Sequence, residues 1–221
     1  MHRSIRARVL ARSLGLLTLA GIAPAALAAN FSFKSSFSTD DQLVMFSIDL
    51  PAAGDMSALT LSYGGGVNGK SEVIAAGGFA PVLTLFDGSG NDVHGNTGAS
   101  NSCPGSGSFC WDAVFTLLGA PAGHYTLVLT QDGNNPNGQL ADGFSMVGQP
   151  HYTGQYIGSA SATFIQIDQT QRTGQWALDL SLPGTVSPVP EPASAGLLLA
   201  GLAMAVLARR RAHGPRLAPQ P

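Results

Sequence analysis

The chain has 221 residues and a formal net charge of −2, with 11 Lys and Arg residues against 13 Asp and Glu residues. The stretch 29–190 holds only three of these basic residues and twelve of the acidic ones, so that it carries a formal charge of −9. A nucleic-acid partner is excluded for this acidic body, since phosphate binding needs a basic surface. The same stretch contains 23 of the 28 glycines, which disfavours long helices and favours a loop-rich β fold.

Residues 1–28 have the layout of a cleavable secretory signal peptide. Four arginines lie between positions 3 and 12, a short apolar run follows at 14–19, and the segment ends in the A-x-A pattern formed by Ala26 and Ala28. The apolar run is too short to span a membrane. We therefore predict export through the Sec translocon and cleavage by signal peptidase after Ala28.

The stretch 29–184 is predicted to form a single β domain. Short β-prone runs, several of them alternating with period 2, are separated by clusters of Gly, Asn, Asp and Pro. The predicted strands cover about 31–37, 43–50, 58–63, 82–86, 113–118, 125–131, 160–168 and 176–182. Eight short strands predict an all-β fold, a jelly-roll-like β-sandwich with its own core.

One glycine-rich segment has the spelling of a phosphate-binding loop. The sequence GGGVNGKS at 64–71 satisfies G-x-x-x-x-G-K-S. A functional loop of this kind needs a long helix after its Lys-Ser pair, and the two glycines at 77–78 followed by Pro81 leave room for barely two turns. We predict a glycine-rich loop between two strands and no nucleotide partner.

Cys103 and Cys110 are the only cysteines, and they lie in a segment rich in Ser and Gly. An isolated pair this close in an exported protein predicts a disulfide, because the compartment is oxidising. A zinc site would need two further ligands, and His94 is the only histidine near this pair in the sequence.

Two loops rich in oxygen-bearing side chains are candidates for a calcium site. The sequence DGSGND at 87–92 places oxygens at alternate positions, but it lacks the sixth-position Gly and the bidentate Glu of a calcium loop. This segment and 132–138 are also typical of hairpin turns. If the acidic body attracts Ca²⁺, the expected ligands are Asp40, Asp41, Asp87 and Asp92.

The sequence contains no recognisable catalytic constellation. It has no G-x-S-x-G elbow, and its body histidines lie in or beside loops. We therefore expect no enzymatic activity. The alternative is a secreted hydrolase with an acid pair drawn from Asp49, Asp112, Asp168 and Asp179, although alternation along strands explains these residues more simply as solvent-facing.

The C-terminal region combines three features in order. A proline-rich stretch at 185–192, predicted to be a stiff linker, ends in Val189, Pro190, Glu191 and Pro192. The apolar run 193–208 would rise about 24 Å as a helix, close to the thickness of a bilayer core, and it predicts a transmembrane helix. The tail 209–221 begins with Arg209, Arg210 and Arg211, and the positive-inside rule places it in the cytoplasm.

The order of Val-Pro-Glu-Pro, apolar helix and Arg-Arg-Arg across 188–211 resembles the PEP-CTERM sorting signal of Gram-negative bacteria that make extracellular polysaccharide. The resemblance implies that exosortase, a membrane-embedded cysteine transpeptidase, cuts near the Pro-Glu-Pro and releases or transfers the body to the cell surface. The alternative is a permanent membrane anchor that exosortase does not process.

Four segments of the body, 38–42, 77–87, 122–127 and 142–144, carry a second resemblance. They are similar to a family of exported PEP-CTERM proteins of unknown activity, whose domain is similar to the bacterial pre-peptidase C-terminal module, a small jelly-roll sandwich. That family usually has Asp where this chain has Ala80, so no calcium ligand is transferable to that position. The resemblance implies a non-catalytic domain.

These features together predict an exported protein with a structural or adhesive body. Its precursor would be anchored in the inner membrane through 193–208, with the body on the periplasmic side. Processing would then place the body on the cell surface or in the extracellular matrix. Extracellular polysaccharide and Ca²⁺ are the ligands that the sequence leaves open.

Overall fold

A computed structural model describes residues 28–96, 103 and 110–189. This part of the chain is nearly all β, with eleven strands and two short 3-10 helices, at Leu140–Asp142 and Tyr152–Ile157. The strands are β1 (Ala29–Ser36), β2 (Leu43–Leu50), β3 (Gly54–Thr60), β4 (Gly66–Val67), β5 (Val73–Ile74), β6 (Pro81–Asp87), β7 (Asp92–Asn96), β8 (Val114–Ala120), β9 (Gly123–Gln131), β10 (Gln175–Leu182) and β11 (Thr185–Val189). In the described ranges we find no helix long and apolar enough to cross a membrane. Most of the predicted signal peptide, the apolar run 193–208 and the basic tail lie outside the described residues.

The strands form two main antiparallel sheets and one small hairpin. The first sheet has the order β1-β10-β3-β8, and the second has the order β11-β2-β9-β6-β7. The hairpin consists of β4 and β5. Consecutive strands of the chain mostly alternate between the two sheets.

The core lies between the two sheets. On β2, the buried side chains of Phe46, Ile48 and Leu50 alternate with exposed residues, as expected for a strand with one face on the core. Trp176 of β10 reaches Phe46 from the opposite sheet, with ring centroids 6.2 Å apart in an edge-to-face arrangement. One buried apolar cluster contains residues of both sheets, including Leu178. The predicted β-sandwich is therefore confirmed.

The strand predictions differ in accuracy. The strand at 43–50 has the predicted bounds, and five others are confirmed to within a few residues. The predicted strand 58–63 begins earlier, at Gly54, and ends at Thr60, because the next residues turn towards Asp112. The predicted strand 160–168 is wrong.

The segment 160–168 is a loop whose apolar residues are buried without sheet pairing. Phe164 has a φ of 55°, which no strand residue adopts, and its ring stacks on Phe79 with centroids 5.7 Å apart. Ile165 is also buried, and its one bridge joins it to Gln171 of the same loop. Burial within a loop produces the same apolar pattern as a strand.

The structure also differs from the predicted linker at 185–192. Residues 185–189 form β11, which pairs with β2 over its whole length, and Val186 packs against the core. The segment is extended as predicted, but it is part of the domain. Pro188 is tolerated because β11 lies at the sheet edge, where a missing N–H leaves no interior ladder bond unmade.

The glycine-rich segment 64–71 contributes β4 and the turn of the hairpin rather than the start of a helix. The Gly69 N–H donates a hydrogen bond of 2.9 Å to the Asp179 carboxylate, and Asp179 also accepts one from Ser32. The segment is thus fixed to the outer face of the first sheet by an acidic residue. This geometry has neither the helix nor the free N–H cradle that a phosphate requires.

Candidate functional site

Strand β11 determines where the C-terminal region leaves the sandwich. It runs antiparallel to β2, with Thr185 opposite Asp49 and Val189 opposite Met45. β11 therefore ends close to the start of β2, the end of β9 and the start of β6. We call this end of the molecule the sorting end, and we define it by the segments 37–42, 75–80 and 131–134. Ala29, the first residue after the predicted signal-peptide cleavage site, starts β1 at the opposite end.

A small cleft opens at the sorting end, with a volume of about 130 Å³. Gln131 and Asp132 lie at the end of β9, and Trp111 and Tyr156 contribute aromatic walls. The Gln131 Oε1 atom is buried and has no hydrogen-bond partner within the described residues. Desolvation raises the pKa of the Asp132 carboxyl, although much of this residue is exposed at the mouth of the cleft. The cleft therefore offers one exposed acceptor, the Asp132 carboxylate, beside aromatic surfaces.

Asp40 is a predicted calcium ligand, and the structure places its carboxylate in the interior of the sorting end. One oxygen accepts hydrogen bonds from the backbone N–H and the hydroxyl of Thr153, at 2.9 and 2.6 Å. The other accepts one from the Phe164 N–H at 2.6 Å. Asp40 thus joins the loop between β1 and β2 to two segments that line the cleft. All three donors to this carboxylate belong to the protein itself.

The other predicted calcium ligands have different surroundings. Asp41 accepts a hydrogen bond from Gly148 N–H at 3.1 Å. Asp87 accepts bonds from the N–H groups of Asn91 and Ser89, which lower its pKa and close the turn between β6 and β7. Asp92 begins β7. Among the residues that the structure describes, these aspartates form no group of three or more metal-ligating side chains. Calcium binding stays a prediction.

The group that does contain three such side chains is formed by Cys103, Cys110 and Asp112. The two cysteines are joined in the predicted disulfide and are buried. With their sulfurs bonded to each other, neither cysteine offers the thiolate that a metal requires. This group is therefore a structural centre.

Asp112 is the acceptor at this centre. Its carboxylate accepts hydrogen bonds from the hydroxyl of Thr60 and from the N–H groups of Ser62, Tyr63 and Gly64, at 2.6–2.9 Å. Burial raises the pKa of the Asp112 carboxyl, and the hydrogen bonds, with that of Gly64 the largest, oppose the rise. One buried carboxylate thus fixes the chain where it leaves β3.

Gly64 lies directly against the disulfide. A Cβ atom at this position would overlap the Cys103 Sγ and lie 2.8 Å from the Cys110 Sγ. We expect Gly64→Ala to lower the free energy of unfolding by about 1–3 kcal/mol, since overpacking a buried site has this cost. Thermal melting of the exported protein measures the effect. Gly95→Ala is the matched control, because its Cβ would meet nothing closer than 3.5 Å; equal melting temperatures for the two variants would contradict the packing account.

The four aspartates considered for a hydrolase are not brought together. Asp49 lies 3.4 Å from His124 on the surface, and Asp168 accepts a bond from Thr170 N–H, which lowers its pKa. Asp112 is the acceptor beside the disulfide, and Asp179 holds the β4–β5 hairpin. Four clefts lined by described residues each contain at most one carboxylate. The acid pair of a glycosidase is not found among them.

Comparison with known proteins bears on the C-terminal region. Residues 188–212 match the model of the PEP-CTERM protein-sorting motif. The chain carries a PEP-CTERM sorting signal. The match includes Val189, Pro190, Glu191 and Pro192 as well as Arg209, Arg210 and Arg211, as the sequence predicted. The signal implies an exported, surface-directed protein with exosortase as its processing partner. No curated protein matches the chain, and the resemblance of the body to the pre-peptidase module stays a prediction.

Sequence reasoning missed two features of the sorting end. Gln131 and Asp132 were assigned to a strand and a turn, and nothing in their spacing indicates that Trp111 and Tyr156 lie beside them. The strand character of 185–189 was also missed, although Val186 followed by Ser187 has the alternation of an edge strand. The three β-breaking prolines after it obscured that signal.

Proposed function

We propose that this PEP-CTERM protein is a non-catalytic component of the cell surface or extracellular polysaccharide matrix, with a jelly-roll body that has a structural or adhesive role. Two observations support the proposal. The sorting motif is joined to the last strand of the sandwich, and the buried carboxylates of the sandwich serve as internal hydrogen-bond acceptors. Such carboxylates are fixed by their donors and are unavailable for proton transfer.

The strand order supports the jelly-roll assignment. Without the β4–β5 hairpin and β11, eight strands remain, in the orders β1-β10-β3-β8 and β2-β9-β6-β7. Along the chain they alternate between the sheets, except at the β6–β7 hairpin. Two interlocked Greek keys have this arrangement. It agrees with the resemblance to the pre-peptidase module, whose relatives accompany enzymes without doing the chemistry.

The cleft at the sorting end supports a glycan as the adhesive ligand. The exposed Asp132 carboxylate accepts hydrogen bonds, and sugar hydroxyls are donors. The aromatic walls suit the apolar face of a sugar ring. The volume is below the range of about 300–1,000 Å³ typical of pockets for drug-sized ligands, so the cleft would hold one ring rather than a chain. The negative charge of the body favours a neutral polysaccharide over an anionic one.

A single incubation tests both halves of this proposal. The exported protein is mixed with dextran as a neutral polysaccharide and with alginate as an anionic one, and bound protein and new reducing ends are both measured. We expect retention on dextran, weaker retention on alginate and no reducing ends from either. Asp132→Asn should reduce retention several-fold, whereas Asp142→Asn, at an exposed position on the 3-10 helix Leu140–Asp142 and outside the cleft, should not.

The two readouts separate the possible failures. New reducing ends would overturn the non-catalytic assignment and favour the hydrolase. Equal retention of the Asp132 and Asp142 variants would remove the cleft from the account. If the protein binds neither polysaccharide, the adhesive role is overturned and only the structural role remains.

A further inference from the structure

The sorting motif and the sandwich share residues. The motif begins at residue 188, and β11 extends to Val189. Pro188 lies opposite Phe46 and Val189 opposite Met45 in the register of β11 with β2. The first two residues of the motif are therefore part of the sheet, and no spacer separates the folded body from the signal.

This overlap leaves very little chain between the sheet and the membrane-directed run. Residues 190–192 alone separate Val189 from the apolar run that begins at 193. Three residues span at most about 10 Å even when fully extended. An enzyme that binds an extended peptide uses the backbone N–H and C=O groups on both sides of the bond to be cut. The backbone of 188–189 cannot pair with β2 and with such an enzyme along the same edge.

The same strand is held in the sandwich by few contacts. β11 has five residues, lies at the edge of its sheet and pairs with β2 alone. Thr185, Ser187, Pro188 and Val189 are exposed, and only the half-buried Val186 packs against the core. Elements with few buried apolar contacts open at the low end of the stability scale, without global unfolding.

We propose that β11 unpairs from β2 before exosortase cuts, so that the sheet and the enzyme compete for residues 188 and 189. Unpairing frees five further residues and adds about 16 Å of extended chain between the body and the membrane. The folded body thereby limits the rate of its own processing. This inference rests on the exosortase processing that the proposed function includes.

A disulfide between the two strands tests this competition in the full chain. Ser187 and Ser47 are directly opposite each other and both exposed, so that Ser47→Cys with Ser187→Cys should link β11 to β2 after export. The control linkage is Ser36→Cys with Gln175→Cys, which are opposite each other on β1 and β10 and also exposed. Peptide mapping under non-reducing conditions verifies each linkage beside the native Cys103–Cys110 disulfide.

The measured quantity is the rate at which chains in the native host lose their C-terminal segment, followed by pulse-chase and mass spectrometry. We expect the β11–β2 linkage to slow processing at least tenfold, while the β1–β10 linkage and the single-cysteine variants are processed like the unmodified chain. Processing of the linked β11 at the unmodified rate would overturn the inference, and so would equal slowing by both linkages. An unmodified chain that is not processed at all would instead overturn the proposed function.

A loosening variant gives the opposite effect. Val186→Ser removes the contact between β11 and the core without touching the matched motif, and it should speed processing severalfold. Ser187→Thr, at the neighbouring exposed position, should leave the rate unchanged. If Val186→Ser is processed no faster than Ser187→Thr, release of β11 is not the limiting step.

Discussion

Replacing Asp112 by Ala is expected to lower the free energy of unfolding of the exported protein by about 3–5 kcal/mol. The substitution leaves three N–H groups, those of Ser62, Tyr63 and Gly64, without the acceptor that they have in the structure. Each buried donor left unpaired costs about 1–3 kcal/mol. Asp112→Asn should cost less, because its amide oxygen can keep the bonds made by one carboxylate oxygen. At the position of the other carboxylate oxygen, the NH₂ group of the asparagine would face the Gly64 N–H, which is also a donor.

Thermal unfolding with the native disulfide intact measures this effect. A loss of this size should lower the melting temperature of a domain of this length by about 10 °C. Asp168→Asn is the matched control, since Asp168 is exposed and accepts one local bond from Thr170 N–H. For a domain of this length, 1 kcal/mol corresponds to about 2–4 °C in melting temperature. A melting temperature of Asp112→Ala within 2 °C of the control would therefore contradict the proposed contribution of these buried hydrogen bonds.

Replacing Asp40 by Ala is expected to cost about 2–4 kcal/mol and to act mainly on the sorting end. Asp40 is the acceptor for the N–H groups of Thr153 and Phe164, which belong to segments with little regular structure. Leaving both donors unpaired costs about 1–3 kcal/mol each. Both donors lie in the long connection between β9 and β10, so the loss should appear there first.

Limited proteolysis and hydrogen exchange distinguish this local effect from global unfolding. In Asp40→Ala, we expect cleavage sites and fast-exchanging amides within 145–170, while β2 and β9 stay protected. Asp55→Asn is the control at the opposite end, where an exposed carboxylate accepts one bond from Gly119 N–H. Uniform loss of protection across both sheets in Asp40→Ala would contradict a local role.

Strand β2 could be predicted from the sequence because one of its faces lies on the core. On β2 the alternation of buried and exposed residues follows from the pleat alone, and its predicted bounds are those of the structure. The segment 160–168 has a comparable pattern for a different reason, because Phe164 and Ile165 are buried by a loop that folds over the sandwich. A local pattern records burial and cannot distinguish these two causes.

The sorting signal and the disulfide could be predicted, but the roles of the buried aspartates of the body could not. The signal is contiguous, so its three features are visible together at 188–212. Asp40 and Phe164 are separated by 124 positions, and Asp112 and Gly64 by 48. In the sequence, such aspartates cannot be distinguished from surface acids or metal ligands. Only the hydrogen-bond donors that surround them in the structure reveal that they stabilise the interior.

We expect the chain to be exported, sorted and cut next to its last strand. The most direct test is the intact mass of the native protein from the surface and membrane fractions of its own host, with both termini mapped. We expect a surface form that lacks residues 1–28 and everything beyond the Pro190-Glu191-Pro192 neighbourhood, and that retains β11. A chain that keeps Arg209, Arg210 and Arg211 in the membrane fraction, with no shorter surface form, would contradict it and would identify a permanently tethered envelope protein.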